Sequence, residues 1–318
     1  MDVLSLVKRK ANLPTLMMGA ASVFAGTGVA AIRGKMELLS ASVCLLAVIF
    51  GQLAANLGHY YLELSRHYDN VPLPPLHEKK WVGDSLGVRV LREGSVACII
   101  ITAMLSFAVI EMAKDAWWVF IVGAVIIISN LLMSYTRRPL FGTPWVLFFT
   151  WLIFGPITVI GTALVQIQYE SPVAWRLFDI APALYMGPAL GLLAVNVHLV
   201  YSYSMSEIDP RSNLYSTAAR LGRKGVEWLM FVNGLIMLVV TFFMAFHLDL
   251  PHSELAIVPA FLAFAFNTYI SLRIHRAMIG ELVHLNMLVK INMLLTGLLT
   301  LILWIQIGAP DNSVRIIF

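Results

Sequence analysis

Nine stretches of about 18 to 22 predominantly apolar residues recur along the chain, at 13–32, 38–57, 95–112, 116–134, 145–166, 180–201, 228–246, 255–272 and 287–308. Charged residues fall almost wholly between them. At 1.5 Å rise, roughly 20 helical residues cross the hydrocarbon core of a bilayer, so the pattern predicts an all-α membrane protein of nine transmembrane helices. It reads as a single domain over 1–318. The second and sixth spans continue as helix past the hydrocarbon, into Tyr60–Glu63 and Tyr203–Glu207. The first span is too long for a cleavable signal, and another follows almost at once.

Composition sharpens this picture. With 59% hydrophobic and 13% charged residues and a mean hydropathy of +0.81, the chain is neither disordered nor an ordinary soluble domain. Cys44 and Cys98 both lie inside apolar runs and read as small buried hydrophobes. The net charge of +4, taken alone, would suit nucleic acid, but its distribution along the chain argues against a nucleic-acid partner. With the N-terminus inside, segments 1–12, 58–94, 135–144, 202–227 and 273–286 with the adjoining Lys290 carry 17 Lys/Arg, and the opposite segments carry 5. By the positive-inside rule this predicts a multi-pass inner (cytoplasmic) membrane protein with a cytoplasmic N-terminus. The two longest polar loops, 58–94 and 202–227, then form a cap on the cytoplasmic face.

Ten of the 18 acidic residues fall on that same face. Acids and bases together at the mouth of a helix bundle suit a charged ligand, the acids holding a metal and the bases an anion. Solvated loop charge is the plainer alternative for any one of them. Asn56, Tyr60, Glu63 and His67 share one helical stripe at the end of the second span. An Asn and a Glu at that depth are costly against lipid, so they should face the bundle interior or a wet cavity. The structural alternative is an interhelical hydrogen bond from Asn56 and an interfacial Glu63. At the end of the sixth span His198, Ser202, Met205 and Asp209 share a stripe, with Asn196, Tyr203 and Glu207 beside it. Two acidic helix ends opening on one face suit a divalent metal, and magnesium is satisfied by a few carboxylates completed by substrate phosphate oxygens and water.

Several segments together carry a family likeness. Phe154-Gly-Pro-Ile-Thr-Val-Ile-Gly-Thr-Ala-Leu-Val-Gln166, Tyr135-Thr-Arg-Arg-Pro139, Gln52-Leu-Ala-Ala-Asn56-Leu and Ala219-Arg-Leu-Gly-Arg-Lys-Gly225 resemble the UbiA superfamily of intramembrane prenyltransferases. Within it, they are most similar to the 1,4-dihydroxy-2-naphthoate branch of menaquinone synthesis. The aspartate motifs depart from that pattern. Where the family reads Asn-Asp-x-x-Asp this chain has His59, Tyr60 and Glu63, followed by Asp69; where it reads Asp-x-x-x-Asp the chain has Met205 and Asp209, and the basic pair after the second motif is lost.

The resemblance implies transfer of a prenyl group from an isoprenyl diphosphate to a small aromatic or quinol-type acceptor within membrane lipid. It implies Mg2+ held by Glu63, Asp69 and Asp209, which are also the expected catalytic residues. Arg66, Lys79, Lys80, Arg137, Arg138 and Arg211 are the expected holders of diphosphate, and Asn56, Tyr60, His198 and Ser202 further substrate contacts. Tyr60, Tyr135 and Tyr203 are candidate cavity liners, with an interfacial aromatic belt as the alternative. Three other readings fit the residues: a UbiA-fold protein that binds an isoprenoid or quinone without turnover, a terpene cyclase-like relative, and an unrelated nine-span transporter. Asn130, Asn196, Asn267 and Asn292 could line a transport pathway, though such amides more often join helices. His59 and Glu63 at i, i+4 would suit a transition metal only with a second such pair, which the sequence lacks.

Overall fold

The computed structural model describes residues 12–70, 85–113, 143–170, 177–208, 217–248 and 253–308, together with Ile121 and Val125. A 3-10 turn (Leu13–Thr15) leads into α1 (Leu16–Ile32), followed by α2 (Leu38–Asn70), α3 (Ser85–Met112) and α4 (Trp145–Leu152). A π-helical turn (Ile153–Ile157) joins α4 to α5 (Thr158–Glu170), and α6 (Leu177–Ile208), α7 (Thr217–His247), α8 (Ser253–Ile274) and α9 (Ile279–Gly308) follow among the described residues. Since α4, the π turn and α5 form one crossing, the described residues hold eight helices long and apolar enough to span a membrane. Each coincides with a predicted span. The remaining prediction, 116–134, lies outside the described residues except for the exposed Ile121 and Val125.

Contacts between named residues give each helix a direction. Helix α2 returns antiparallel to α1, with Asn56 at Thr15 and Val48 beside Gly19. Helix α3 returns along α2, with Ser95 bonded to Ala54 O and Thr102 beside Gly51. Helix α5 runs parallel to α1, since Gly26 meets Val159 and Thr162, and Thr27 meets Gln166. Both α3 and the α4–α5 crossing therefore run in the direction of α1. Ala113 and Thr143 lie at opposite ends of the bundle, and the predicted span 116–134 falls in the interval between them. Helices α6, α7, α8 and α9 then alternate, through Gly155 against Gly187 and Gly191, Asn233 against Asn196, Gly234 against Asn267, and Asn292 against Ala263. The last helix ends up parallel to the first, with Gly297 at Ala21 and Gly308 at Ala31.

The end of the bundle where α1 starts collects Arg89, Arg92, Arg220, Arg223, Lys224, Arg273 and Arg276 near helix ends, and is called the basic end below. Helices reach further into this end than the apolar runs suggest: α3 starts at Ser85 rather than 95, α7 at Thr217 rather than 228, and α9 at Ile279 rather than 287. Apolarity marks only the stretch inside hydrocarbon. The extra turns are rich in Leu, Arg, Lys and Glu, good helix formers, and the Arg89–Glu93 pair at i, i+4 (2.6 Å) supports one of them. Much of the two predicted cap loops is thus helix, and their connecting residues 71–84 and 209–216 lie outside the described residues. Gly222 breaks α7 with φ 63 and ψ 178, a conformation essentially confined to glycine.

Burial is unequal. About two-thirds to three-quarters of the apolar windows of α1 and α6 is buried (67% and 72%), against 17% and 11% for α2 and α3, so α1 and α6 form the centre. Helix α1 reads LMMGAASVFAGTGVAAI, and its small residues let neighbouring backbones approach closely. A Cβ on Gly297 would overlap Ala21 O, and one on Gly28 would stand 3.2 Å from Leu301 Cα. Large apolar side chains such as Met104, Phe107, Phe243, Phe246 and Phe261 face outward, as a hydrocarbon solvent requires.

The opposite end is closed by a polar clasp. Gly34, at φ 65, ends α1 with Lys35 N–H donating to Ala30 O and Gly34 N–H to Ala31 O. Glu37 caps α2, its carboxylate accepting from the N–H groups of Leu39 (3.0 Å) and Ser40, while its own N–H donates to Gln166 Oε1 (3.3 Å). Gln166 Nε2 donates in turn to Thr27 Oγ1 (3.0 Å).

Candidate functional site

Helix α2 carries the first predicted stripe. Asn56 Nδ2 donates to Thr15 Oγ1 (2.9 Å) and Gln52 Nε2 to Thr15 O (2.9 Å), fastening α2 to the first turn of the bundle. This is the interhelical bond that the sequence offered as the structural alternative for Asn56. Gln52 Oε1 is buried with no hydrogen-bond partner among the described residues. Tyr60 packs on the α2–α3 contact formed by Leu57 and Leu91, and its ring centroid lies 5.6 Å from that of His59. Glu63, Arg66 and Asp69 sit on the last turns of α2, which runs on to Asn70, but their side chains lie outside the described residues.

Helix α6 carries the second stripe. His198 Nε2 and Ser202 Oγ lie 3.1 Å apart. Tyr203 is buried and accepts from Arg223 Nε (3.1 Å), whose Nη1 donates to His275 O (3.3 Å). His275 Nδ1 lies 3.1 Å from Glu227 Oε2. Tyr203 thus ties the basic ends of α6, α7 and α8 together, which is a packing role for a residue predicted as a cavity liner. Helix α6 continues to Ile208, one residue before Asp209. Asp209, Arg211, Lys79, Lys80, Tyr135, Arg137 and Arg138 all lie outside the described residues.

Between the stripes stands α1, which packs on α2, α5, α6 and α9, while its leading turn Leu13–Thr15 touches α9. The stripes therefore approach the centre from two sides. Among the described residues no three His, Cys, Asp or Glu side chains cluster as metal ligands. The three acids expected to hold magnesium are those whose side chains lie outside them.

Sequence reasoning placed Lys290 among the loop cations. The structure corrects this: Lys290 lies within α9, only 3% exposed, with Nζ 5.7 Å from the Tyr201 ring centroid. The available signal was a lone lysine inside the apolar run 287–308. The amides predicted either to line a pathway or to join helices prove to be joints. Asn196 Nδ2 donates to Asn267 Oδ1 (3.0 Å), Asn233 Nδ2 to Asn196 Oδ1 (2.8 Å) and Asn267 Nδ2 to Met230 O (2.7 Å). Asn292 Nδ2 donates to Ala263 O (3.1 Å), while Asn130 lies outside the described residues.

The segment that carries most of the family likeness also acts in packing. Gly155 and Pro156 form the π turn and lie directly on the backbone of Gly187 and Gly191 in α6. Carbonyls around the turn find hydroxyl partners: Thr158 Oγ1 donates to Ile153 O (2.6 Å), and Ser22 Oγ reaches Phe154 O. Thr162 packs on Gly26, and Gln166 belongs to the clasp.

No protein-family model matches the sequence, and neither does any curated protein. Among solved structures, a UbiA homologue from Aeropyrum pernix K1 in its apo form superposes with a TM-score of 0.62 at 17% identity, over 87% of this chain and 94% of that one. A digeranylgeranylglyceryl phosphate synthase superposes with a TM-score of 0.54 at 12% identity, over 96% of this chain and 100% of that one. The chain thus has the all-helical membrane fold of these two proteins, a UbiA-like bundle.

Proposed function

We propose that this protein transfers a prenyl group from an isoprenyl diphosphate to a small aromatic or quinol-type acceptor inside the membrane. The observation that carries the reading is the UbiA-like bundle with acid-bearing α2 and α6 both ending at the basic end. In the reaction the allylic C–O bond breaks, diphosphate leaves with the electron pair, and the acceptor supplies the pair for the new bond and loses a proton. Glu63, Asp69 and Asp209 form a donor set suited to Mg2+, since hard oxygen ligands in this number leave room for phosphate oxygens. A bound magnesium would offset charge building on the departing diphosphate. Arg66, Lys79, Lys80, Arg137, Arg138 and Arg211 are the candidate bases for the same anion. Burial of most of the apolar windows of α1 and α6 keeps water from the bundle centre, which would protect a cationic allylic group held there.

The basic end faces the cytoplasm in this reading, following the Lys/Arg bias, with the chain in the inner membrane and the acceptor of the menaquinone-pathway type. A second reading rests on Tyr60. It stands at an acid position of the resembled motif and packs on α3, and a phenol is no substitute for a carboxylate on magnesium. That favours an isoprenoid- or quinone-binding protein without turnover. Purified protein given labelled geranylgeranyl or farnesyl diphosphate and magnesium, with and without a naphthoate or quinol acceptor, separates the two. Acceptor-dependent diphosphate release and a prenylated product support transfer; binding of the donor with no release supports the second reading.

A further inference from the structure

Two charged side chains are buried among the described residues, and they are treated differently. Glu37 caps α2, and its carboxylate accepts two backbone N–H groups. Lys290 forms no hydrogen bond or ion pair among the described residues, and its ammonium lies 5.7 Å from the centroid of the Tyr201 ring. An ionisable group inside a membrane bundle is costly unless something meets its charge, and it commonly marks a ligand. Snorkelling does not relieve Lys290. It stands near the start of the apolar run 287–308 but is only 3% exposed, so its side chain does not reach the water that bathes the preceding turns.

Its surroundings narrow the ligand. Tyr201 lies on α6 between His198 and Ser202, so the ammonium arrives at the same turn as the hydrogen-bonded pair predicted to contact substrate. The amides of Asn196, Asn233 and Asn267 one turn away donate to one another or to Met230 O. The neighbouring Asn292 donates to Ala263 O. A lysine ammonium has three donors and no acceptor, so its complement is an anionic oxygen group. Lipid headgroups would meet the exposed Arg220, Lys224 and Arg276 first; a quinol acceptor is uncharged, and a naphthoate brings a single carboxylate against the two or more charges of a diphosphate. The diphosphate of a membrane-embedded donor has both the charge and the apolar tail to reach this position.

We infer that Lys290 is an anion-binding residue supplied by the last helix, and that it takes the diphosphate of the isoprenyl donor. This assignment rests on the donor class proposed above. The test measures binding of geranylgeranyl diphosphate and of uncharged geranylgeraniol to full-length protein in detergent with EDTA present, for wild type and Lys290→Met. Methionine replaces the unbranched stem as far as Cε and removes the ammonium. The ligand-free variant should melt at or above the wild-type temperature, because a buried charge without an ionic partner has been removed. Its affinity for the diphosphate should fall at least about tenfold, as for a buried charge contact cut on one side, with affinity for the alcohol held within about twofold. Undiminished diphosphate binding by Lys290→Met overturns the assignment. So does a variant that fails to fold or melts well below wild type, which would make Lys290 a packing residue. Wild-type protein that binds neither ligand, in EDTA or with magnesium restored, removes the isoprenyl donor itself, a result distinct from either of these.

Discussion

Replacing Gly155 with alanine would place a Cβ 2.6 Å from Gly187 O and 2.7 Å from Gly191 Cα, where ordinary contact starts near 3.4 Å. The obstructing atoms are backbone, so no rotamer change relieves them, and the π turn must move away from α6 by about 0.8 Å. A gap of that size forfeits about a quarter to a half of the dispersion attraction of the atoms it separates, and overpacking of this kind costs about 1–3 kcal/mol. The bond from Trp151 Nε1 to Pro188 O, now 3.1 Å, would stretch past hydrogen-bonding distance, adding about 0.6 kcal/mol at the scale found inside membranes. Alanine returns about 0.5–1 kcal/mol through its better helix propensity. The net expectation is a loss of about 2 kcal/mol. Gly94 supplies the control, since a Cβ there meets only the tip of Leu57 at 3.3 Å, and Gly94→Ala should stay within about 0.5 kcal/mol of wild type or gain slightly. Helix content followed through an SDS titration of detergent-solubilised protein measures both. If Gly155→Ala unfolds at the same SDS fraction as Gly94→Ala, the close crossing of the π turn on α6 is not a source of stability.

Three further outcomes are expected. Glu63→Ala and Asp209→Ala should each lower diphosphate release by orders of magnitude with the fold intact, because the charge they offset appears only as diphosphate departs, while Lys79→Ala has a smaller effect; an Asp209→Ala protein as active as wild type would sink the transfer reading. Asn196→Ala deprives both Asn233 and Asn267 of a partner, and should cost about 1–2 kcal/mol, whereas Asn286→Ala should be nearly silent, since Asn286 Oδ1 has no partner to lose among the described residues; the same SDS titration compares them. Single cysteines at positions 84 and 212 should both be labelled by a membrane-impermeant thiol reagent from the cytoplasmic face, and labelling from opposite faces would refute the proposed topology.

The helices were legible because an apolar run long enough to cross a bilayer has few other structural outcomes. Eight of the nine runs coincide with described helices, and the errors lie at the basic end, where α3, α7 and α9 continue through charged turns. Hydropathy cannot see those turns because water solvates them. Asn56 was legible as a costly polar residue, but its partner Thr15 was not, since an interhelical contact leaves no trace in one helix's periodicity. Lys290 was misplaced because a span boundary drawn by apolarity treats a lysine near its start as flanking charge. The family likeness at Phe154–Gln166 pointed to the fold through close backbone contacts, with the π turn on α6 and Gln166 in the clasp. Such residues identify an architecture more firmly than a reaction.

The pairing of the first helix with the last bears on how the protein is made. A ribosome delivers α1 to the membrane long before α9 exists, yet the Ala and Gly surface of α1 is built to meet Gly297 and Gly308. Until then that surface touches lipid, which small residues contact poorly, and α1 must wait through the insertion of every intervening helix. Contacts so distant in sequence close slowly. A chain interrupted before α9 has an uncovered centre rather than a missing edge, because α1 is among the most buried helices of the finished bundle. The core therefore closes only once α9 has been made, and a product truncated before it would present the membrane's proteases with an open seam along α1.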